Sequence, residues 1–156
     1  MPSQVVVKGN TDGLDRMLKN VSSKLVAKIG IFGGGDREEG ELSNVEVGAS
    51  HEFGVFSKNL PRRSFLRDPI SLKRKELIKK AESIIKDNID KEGGDKRIFE
   101  IIAAYGEKIV QEAFETGGYG TWQPLSQGTI NSKGSSQILI DSAQLRKSIT
   151  RKVEKR

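Results

Sequence analysis

The chain has 156 residues, a length that fits one domain; 31% of them are charged, above the usual ~25%, and the net charge is +6. It has no cysteine, which excludes disulfides and cysteine-based zinc sites, and its single histidine leaves little room for a histidine-rich metal site. Because it has neither a secretory signal pattern nor an apolar run near the ~20 residues of a membrane span, we expect a soluble protein without metal or cofactor that stays in the compartment where it is made.

The N-terminal part alternates strand and helix patterns. Residues 4–8 and 25–32 are short apolar runs typical of strands, and Ala27, Ile29 and Ile31 share one face of the second run. A helix over about 12–23 is predicted between them. Its candidate caps are Asn10, Thr11 and Asp12, and its apolar face is formed by Leu14, Met17, Leu18, Val21 and Leu25.

A polar, glycine-rich stretch follows the second strand. It begins at Gly33-Gly34-Gly35, and we expect residues 33–44 to form a mobile loop. Ser43 or Asn44 then offers a cap for a short helix over 45–53, and Gly54 is a natural C-terminal cap.

The middle of the chain predicts an extended segment followed by two long helices. Residues 61–66 are expected to be extended, with Phe65 and Leu66 as apolar anchors, and Asp68-Pro69 is a typical helix start. Gly93-Gly94 ends the first long helix and Asp95 can cap the second, so we predict an antiparallel helical hairpin. The first apolar stripe is Leu72, Leu77, Ile78, Ala81, Ile84, Ile85 and Ile89; the second is Ile98, Phe99, Ile102, Tyr105, Ile109, Val110, Ala113 and Phe114. Such stripes are more often core than interface, although together they are more apolar than one hairpin needs. The alternatives are that they cover a small sheet or pack partly against another subunit.

The C-terminal part begins with a glycine-rich segment, 115–121, that we expect to be a mobile loop leading to Trp122, the only tryptophan. Short helices are predicted near 126–132 and 142–148, and a final strand near 148–153.

Charge is unevenly distributed along the chain. Residues 146–156 form a basic C-terminal tail with six basic residues and one acid, residues 73–80 are also basic, and residues 36–46 are acidic. Separated patches of opposite charge favour head-to-tail pairing of identical copies over DNA binding.

Patterns that suggest chemistry have simpler interpretations. The glycines at 33–35 lead into acidic residues, which repel phosphate, and no Gly-Lys-Ser/Thr follows. His51 and Glu52 are adjacent, so on a helix they do not face each other, and no nucleophile is evident; a hydrolase centred on them is the weakest hypothesis. Asp141-Ser142 is explained by helix capping. The aromatic side chains Tyr105, Tyr119 and Trp122 are better explained by burial than by stacking on nucleic-acid bases.

Two segments together resemble the small neck and tail-completion proteins of tailed bacteriophages. The first segment is similar to an HEFG…PxRxFLR pattern, and the second to a WxPLSxxTxxxK…LIDxxxLxxSI pattern. The residues that carry the first pattern are His51, Glu52, Phe53, Gly54, Pro61, Arg63, Phe65, Leu66 and Arg67. Those that carry the second are Trp122, Pro124, Leu125, Ser126, Thr129, Lys133, Leu139, Ile140, Asp141, Leu145, Ser148 and Ile149. One departure is Ser142-Ala143 where the family commonly has Thr-Gly, so the turn there must use a conformation that alanine tolerates.

The resemblance implies a fold, a role and partners. The expected fold is a single small α+β domain spanning residues 1–156, with a mostly antiparallel sheet and helices packed on one side. The expected role is non-enzymatic: a structural virion protein made in the host cytoplasm and located at the head–tail junction. The implied partners are other copies of the chain in a hexameric ring, a head-side connector or head-completion protein, and a tail terminator or tail tube protein. DNA would pass through the lumen of the ring without sequence-specific contact, and no membrane would be involved. The alternative is a basic nucleic-acid-binding protein that uses residues 146–156 and 73–80.

Overall fold

The structure, a computed structural model, describes residues 24–33, 42–88, 94–134, 136, 138 and 144–156. The predicted strand over 4–8, the predicted helix over 12–23 and most of the predicted loop over 33–44 lie outside these residues. The chain is an α+β fold, as expected, with a two-stranded antiparallel sheet and six α-helices among the described residues. The elements are β1 (Leu25–Ile31), α1 (Asn44–Phe53), α2 (Arg67–Leu72), α3 (Arg74–Asn88), α4 (Gly94–Glu115), α5 (Gln127–Lys133), α6 (Gln144–Ser148) and β2 (Ile149–Lys155).

The two strands form a ribbon that packs on the longest helix. Leu25 pairs with Lys155 at one end of the ribbon and Ile31 pairs with Ile149 at the other, so both predicted strands are confirmed. Helix α4 contacts both strands. Gly106 permits this close approach, because a Cβ atom there would overlap the side chain of Ile29.

Helix α1 has the caps that the sequence predicts. The Ser43 hydroxyl accepts a hydrogen bond from the Glu46 amide at 3.2 Å, and the Glu46 carboxylate accepts one from the Ser43 amide at 2.8 Å. This reciprocal capping box satisfies two amide donors that the helix leaves unpaired at its start. The helix ends at Gly54, where φ is +75°.

The helix predicted to start at Asp68-Pro69 differs from the prediction in two ways. It begins earlier, at Arg67, so Asp68 lies in its first turn instead of capping it and pairs with Arg62 at 2.6 Å. It is also divided in two at Lys73, whose φ of −90° and ψ of 10° separate α2 from α3. Hydrogen bonds from the Lys73 amide to the Pro69 carbonyl oxygen and from the Leu77 amide to the Lys73 carbonyl oxygen continue across the break, so the helical bonding is retained there.

The hairpin of α3 and α4 is present, but its two apolar stripes differ in burial. Helix α4 buries Ile98, Ile109, Val110, Ala113 and Phe114, as predicted. Helix α3 buries only Ile84 among its described residues, whereas the predicted core residues Leu72 of α2 and Ile78 and Ile85 of α3 are exposed. For those three residues the expectation of a core position is not met, and packing of part of the stripes against another subunit stays a prediction. Asp95 also lies inside the first turn of α4, which starts at Gly94, and does not cap the helix from outside.

The core cluster combines the C-terminal half of α4 with residues of α6 and β2 and with the segments that contain Phe65 and Trp122. Its buried members are Phe65, Val110, Ala113, Phe114, Trp122, Leu145 and Ile149. After α4, residues 116–121 form consecutive hydrogen-bonded turns that lead to Trp122. The predicted short helices correspond to α5 and α6, and the basic segment 146–156 contributes most of its residues to α6 and β2.

Candidate functional site

The two segments that carry the family resemblance contact each other directly. We call this contact the motif junction and define it by Glu52 and residues 63–67 from the first segment and by Trp122 and Gln123 from the second. Its central side chains are buried: Glu52 is 6% exposed, Arg63 5% and Trp122 7%, whereas Arg67 and Gln123 are exposed.

Glu52 is the central polar group of the motif junction. It lies in the last turn of α1, and its two carboxylate oxygens accept four hydrogen bonds from the segment that leads into α2. The donors are the Ser64 hydroxyl at 2.8 Å and the amides of Phe65 at 3.0 Å, Leu66 at 3.0 Å and Arg67 at 3.1 Å. A carboxylate at a helix N-terminus satisfies amides that have no partner within the helix and interacts favourably with the helix dipole. Glu52 is therefore the cap of α2, supplied by a different helix.

Ser64 completes this cap. Its hydroxyl donates to Glu52 and also accepts a hydrogen bond from the Asp68 amide at 3.0 Å. The capping function that the sequence assigned to Asp68 is thus performed by Ser64 and Glu52 together. The start of α2 at Arg67 is consequently fixed by a buried side chain that comes from 15 residues earlier in the chain.

Arg63 joins the first segment to the second. Its Nε and Nη2 atoms both donate to the carbonyl oxygen of Gln123, at 3.2 Å each. Burial lowers the pKa of Arg63 from its usual value, because desolvation disfavours the charged form. A planar guanidinium can direct two donors at one acceptor, which a lysine ammonium on a flexible stem does less well.

Trp122, from the second segment, also joins the two segments. Its Nε1 donates to the carbonyl oxygen of Ser64 at 3.0 Å, and its ring meets Phe114 edge-on with centroids 5.7 Å apart. Phe114 in turn lies 5.2 Å from the ring of Phe65. The turn before the tryptophan requires glycine at 118, because φ is +67° there and a Cβ atom would overlap the indole. Phe65 and Trp122 are thus buried anchors of the monomer's own core.

Gly54 allows the chain to reverse between Glu52 and Arg63. Its φ is +75°, and a Cβ atom at this position would lie 2.9 Å from the Arg62 amide nitrogen. Beyond it, Val55 and Leu60 pair in an isolated antiparallel bridge around a single 3₁₀ turn, Phe56–Lys58. The amide of Arg63 then donates to the His51 carbonyl oxygen at 2.8 Å, which closes the loop.

The remaining residues of the two motifs lie around this junction. Leu66 packs against the core cluster, and Leu145 belongs to it. Ser126 caps α5 by accepting from the Thr129 amide at 3.3 Å, and the Ser148 hydroxyl donates to the Leu145 carbonyl oxygen at 2.7 Å. Phe53, Pro124 and Thr129 are exposed, whereas Pro61 and Leu125 are half-buried. Leu139, Ile140, Asp141, Ser142, Ala143 and the side chain of Lys133 lie outside the described residues.

The polar groups of the motifs form hydrogen bonds within the fold, so their role is structural. Both oxygens of Glu52 already accept hydrogen bonds, and the guanidinium of Arg63 is directed at a backbone carbonyl. In the part of the chain that the structure describes, no group of three His, Cys, Asp or Glu residues could hold a metal ion. No helix among the described residues is long and apolar enough to cross a membrane.

Among the described residues, two patches contain exposed apolar side chains. The α3 ridge consists of Ile78 and Ile85, which are 49% and 39% exposed. The α1 patch consists of Leu42 and Val45 at the start of α1, which are 52% and 41% exposed. Phe53, Phe56 and Leu72 are also exposed.

The sequence did not reveal two functional features of this region. The capping role of Glu52 was not predicted, because its hydrogen-bond partners lie 12 to 15 residues later in the chain. A usable signal was present: a glutamate two residues before a helix-ending glycine, followed by a Ser-Phe-Leu-Arg segment that starts a helix. The exposure of the α3 ridge had no comparable signal, since helical spacing alone does not tell whether an apolar face is covered.

Comparisons with known proteins do not add to these observations. The sequence matches no protein-family model, and neither curated proteins nor solved structures give a significant match. The family resemblance therefore depends on the motif residues themselves.

Proposed function

We propose that the chain is a structural protein of the tailed-phage neck. It joins or completes the tail at the head–tail junction, where copies form a ring between the head-side connector and the tail. The observation that carries this proposal is the motif junction. The two sequence segments that resemble the family are more than 50 residues apart, yet they pack together as one unit. The Arg63 guanidinium donates to the Gln123 carbonyl oxygen, and Trp122 Nε1 donates to the Ser64 carbonyl oxygen.

The junction supports this proposal because it gives the motifs an architectural role. The hydrogen bonds of the junction's side chains are made to the backbone or to each other. These side chains are Glu52, Arg63, Ser64 and Trp122. A protein that works by association needs a rigid unit with fixed surfaces, since ordering a surface only upon binding costs affinity. The proposed activity is therefore assembly, without catalysis and without a cofactor.

Ring formation also requires surfaces that remain available in the monomer. Isolated exposed apolar residues are ordinary, but an apolar residue repeated along a helix face is more typical of a contact surface. The α3 ridge meets that description, and Leu42 and Val45 of the α1 patch are further exposed apolar side chains on a different part of the chain. Two distinct surfaces on one chain are what a closed heterologous ring uses.

Electron microscopy of the phage particle tests the proposal. A reconstruction of the neck is expected to contain several copies of this chain in one ring between the connector and the tail. Particles assembled without the chain are expected to accumulate as separate heads and tails. Absence of the chain from purified particles, or its presence there only as isolated monomers, would contradict the proposal.

The alternative is a nucleic-acid-binding protein, and the charge of α3 favours it. Arg74, Lys75, Lys79 and Lys80 lie within two turns of this helix. Binding through phosphate contacts would weaken steeply with salt, so a gel-shift titration of duplex DNA at two salt concentrations tests it. Retention that is weak and nearly independent of salt would eliminate this alternative.

A further inference from the structure

The side chains of two motif residues, Phe53 and Arg67, take no part in the hydrogen bonds of the motif junction. Both are exposed, and both line one pocket, which we call the rim pocket. From this we infer that the rim pocket receives an apolar side chain from a segment of a partner protein, while Arg67 pairs with a carboxylate close to that side chain. The inference rests on the proposed function, because it gives the chemistry of one partner contact in the assembly.

The rim pocket is an open cleft of about 420 Å³ between the end of α1, the start of α2, β1 and α4. Ligand sites typically have volumes of roughly 300–1,000 Å³. The exposed edge consists of Phe53, Arg67 and Ser71, so the cleft is accessible to a side chain that projects from a larger partner. The deeper wall is apolar and is formed by Ile29, Leu66, Ile70 and Val110.

Arg67 and Phe53 form a preorganised pair at this edge. The guanidinium carbon of Arg67 lies over the Phe53 ring, 5.2 Å from its centroid, in a cation–π contact. The cap of α2 fixes the backbone on both sides, since Glu52 directly precedes Phe53 and its carboxylate accepts a hydrogen bond from the Arg67 amide at 3.1 Å. Stacking orders the guanidinium without using its N–H donors, so less conformational freedom is lost when those donors bind a partner.

Arg67 is a cation without an acidic partner among the described residues. Glu52 also lines the pocket, but both of its oxygens already accept hydrogen bonds from the segment that leads into α2. Asp68, the next acid along the chain, pairs with Arg62 at 2.6 Å. A carboxylate from outside the chain is therefore complementary to Arg67, and it matches the fork of donors that a guanidinium presents.

The apolar wall and the single cation together specify the occupant. In an extended protein segment, side chains two residues apart lie on the same side, roughly 7 Å from each other. Such a segment can place an apolar side chain against the wall and a carboxylate at the edge of the cleft. A nucleic acid offers phosphate to Arg67 but little that covers an apolar wall, so a protein segment fits the pocket better.

NMR titration of the isotope-labelled chain with three short peptides tests the inference. The probe peptide, acetyl-Phe-Ser-Glu-amide, carries both groups, whereas acetyl-Phe-Ser-Gln-amide lacks the charge and acetyl-Ala-Ser-Glu-amide lacks the apolar side chain. The variants Arg67→Gln and Phe53→Ala each remove one group at the edge of the pocket. Their matched controls are Arg74→Gln and Phe56→Ala, which alter exposed residues of the same types outside the pocket. Far-ultraviolet circular dichroism checks that each variant is folded.

The expected result depends on both groups of the probe peptide. It should shift the amides of Phe53 and of residues 66–71, and it should bind about fivefold or more tightly than either of the other peptides, since each of those lacks one contact. Phe53→Ala should weaken binding of the probe peptide about fivefold or more, and Arg67→Gln should abolish the preference for Glu over Gln. The two control variants should bind like the unaltered chain.

Other outcomes overturn the inference. These are shifts that do not saturate below about 10 mM probe peptide, shifts that lie mainly away from the pocket, equal binding of the three peptides, or a preference for Glu that survives Arg67→Gln. A short oligothymidylate that displaces the probe peptide from Phe53 at a lower concentration would make the pocket a nucleic-acid contact instead. If the peptide contact fails while the particle neck still contains a ring of this chain, the proposed function stands and only the partner contact is wrong.

Discussion

The motif junction and the α3 ridge differ in how completely their groups are satisfied. In the junction, Glu52 receives four hydrogen bonds and Trp122 is both buried and hydrogen-bonded. On the ridge, Ile78 and Ile85 remain in contact with water. The difference indicates that the junction stabilises the monomer, whereas the two ridge side chains contribute little to its core.

Substitution of Trp122 by alanine is expected to give the largest loss of stability. The change empties a site packed against Phe114 and removes the hydrogen bond to Ser64, and replacement of a buried tryptophan by alanine costs about 3–5 kcal/mol. Urea unfolding followed by circular dichroism measures it. Phe56→Ala is the control, expected to change the free energy of unfolding by less than about 0.5 kcal/mol. Equal effects of the two substitutions would contradict the assignment of Trp122 to the monomer core.

Substitution of Glu52 by alanine is expected to cost about 3 kcal/mol. It leaves the amides of Phe65, Leu66 and Arg67 without their acceptor, and each unsatisfied buried donor costs about 1–3 kcal/mol before solvent relaxation. Glu82→Ala on the exposed surface of α3 is the matched control. Unfolding curves for the two variants that coincide would show that Glu52 does not cap α2.

Replacement of Arg63 by lysine is expected to cost about 1–2 kcal/mol, because the ammonium keeps the buried charge but cannot reproduce both hydrogen bonds to Gln123. Arg67→Lys, on an exposed side chain, serves as the control and should leave the urea midpoint nearly unchanged. A stable Arg63→Lys variant would indicate that packing alone joins the two motif segments.

Acid is expected to weaken the capping box of α1 slightly. Hydrogen bonds from the Ser43 hydroxyl and amide lower the pKa of Glu46 below its usual 4.5. A carboxylate with a lowered folded-state pKa stabilises the fold above its unfolded pKa, and this contribution is lost as the pH falls through the folded value. The difference in stability between the unaltered chain and Glu46→Gln should therefore shrink below about pH 4.5. A difference that is constant from neutral pH to acid would exclude this contribution.

Changes on the α3 ridge are expected to have the smallest effect on the monomer. Ile78→Gln with Ile85→Gln removes side chains that are already exposed and substitutes a good helix former, so the free energy of unfolding should change by less than about 0.5 kcal/mol. Measurement at a concentration where the unaltered chain is monomeric separates this effect from assembly. A loss comparable with that of Trp122→Ala would place the ridge in the core of the monomer.

Local signals in the sequence predicted much of the fold. The capping box at Ser43 and Glu46, the glycine after α1 and the periodicity of α4 involve residues within a few positions of each other, so the sequence displays them directly. The pairing of β1 with β2 was not predicted, although both strands were, because a register between segments more than 100 residues apart leaves no local trace.

The features that the sequence concealed are tertiary. Asp68 resembled a helix cap, but a buried carboxylate from α1 and the Ser64 hydroxyl occupy that role, and a side chain distant in sequence overrides the local preference. The apolar stripe of α3 was correctly periodic, yet periodicity cannot show that α4 covers only the side with Ile84. The resemblance identified the residues of the junction without indicating that its two halves touch.

Amide hydrogen exchange in the monomer and in the assembled state tests the contrast between the two regions most directly. The amides of Phe65, Leu66 and Arg67 should be protected in the monomer and unchanged by assembly, because Glu52 already binds them. Amides along α3, whose outer side chains are in contact with water, should exchange faster than these three in the monomer. Exchange at Phe65 to Arg67 that is as fast as exchange along α3 would contradict the account.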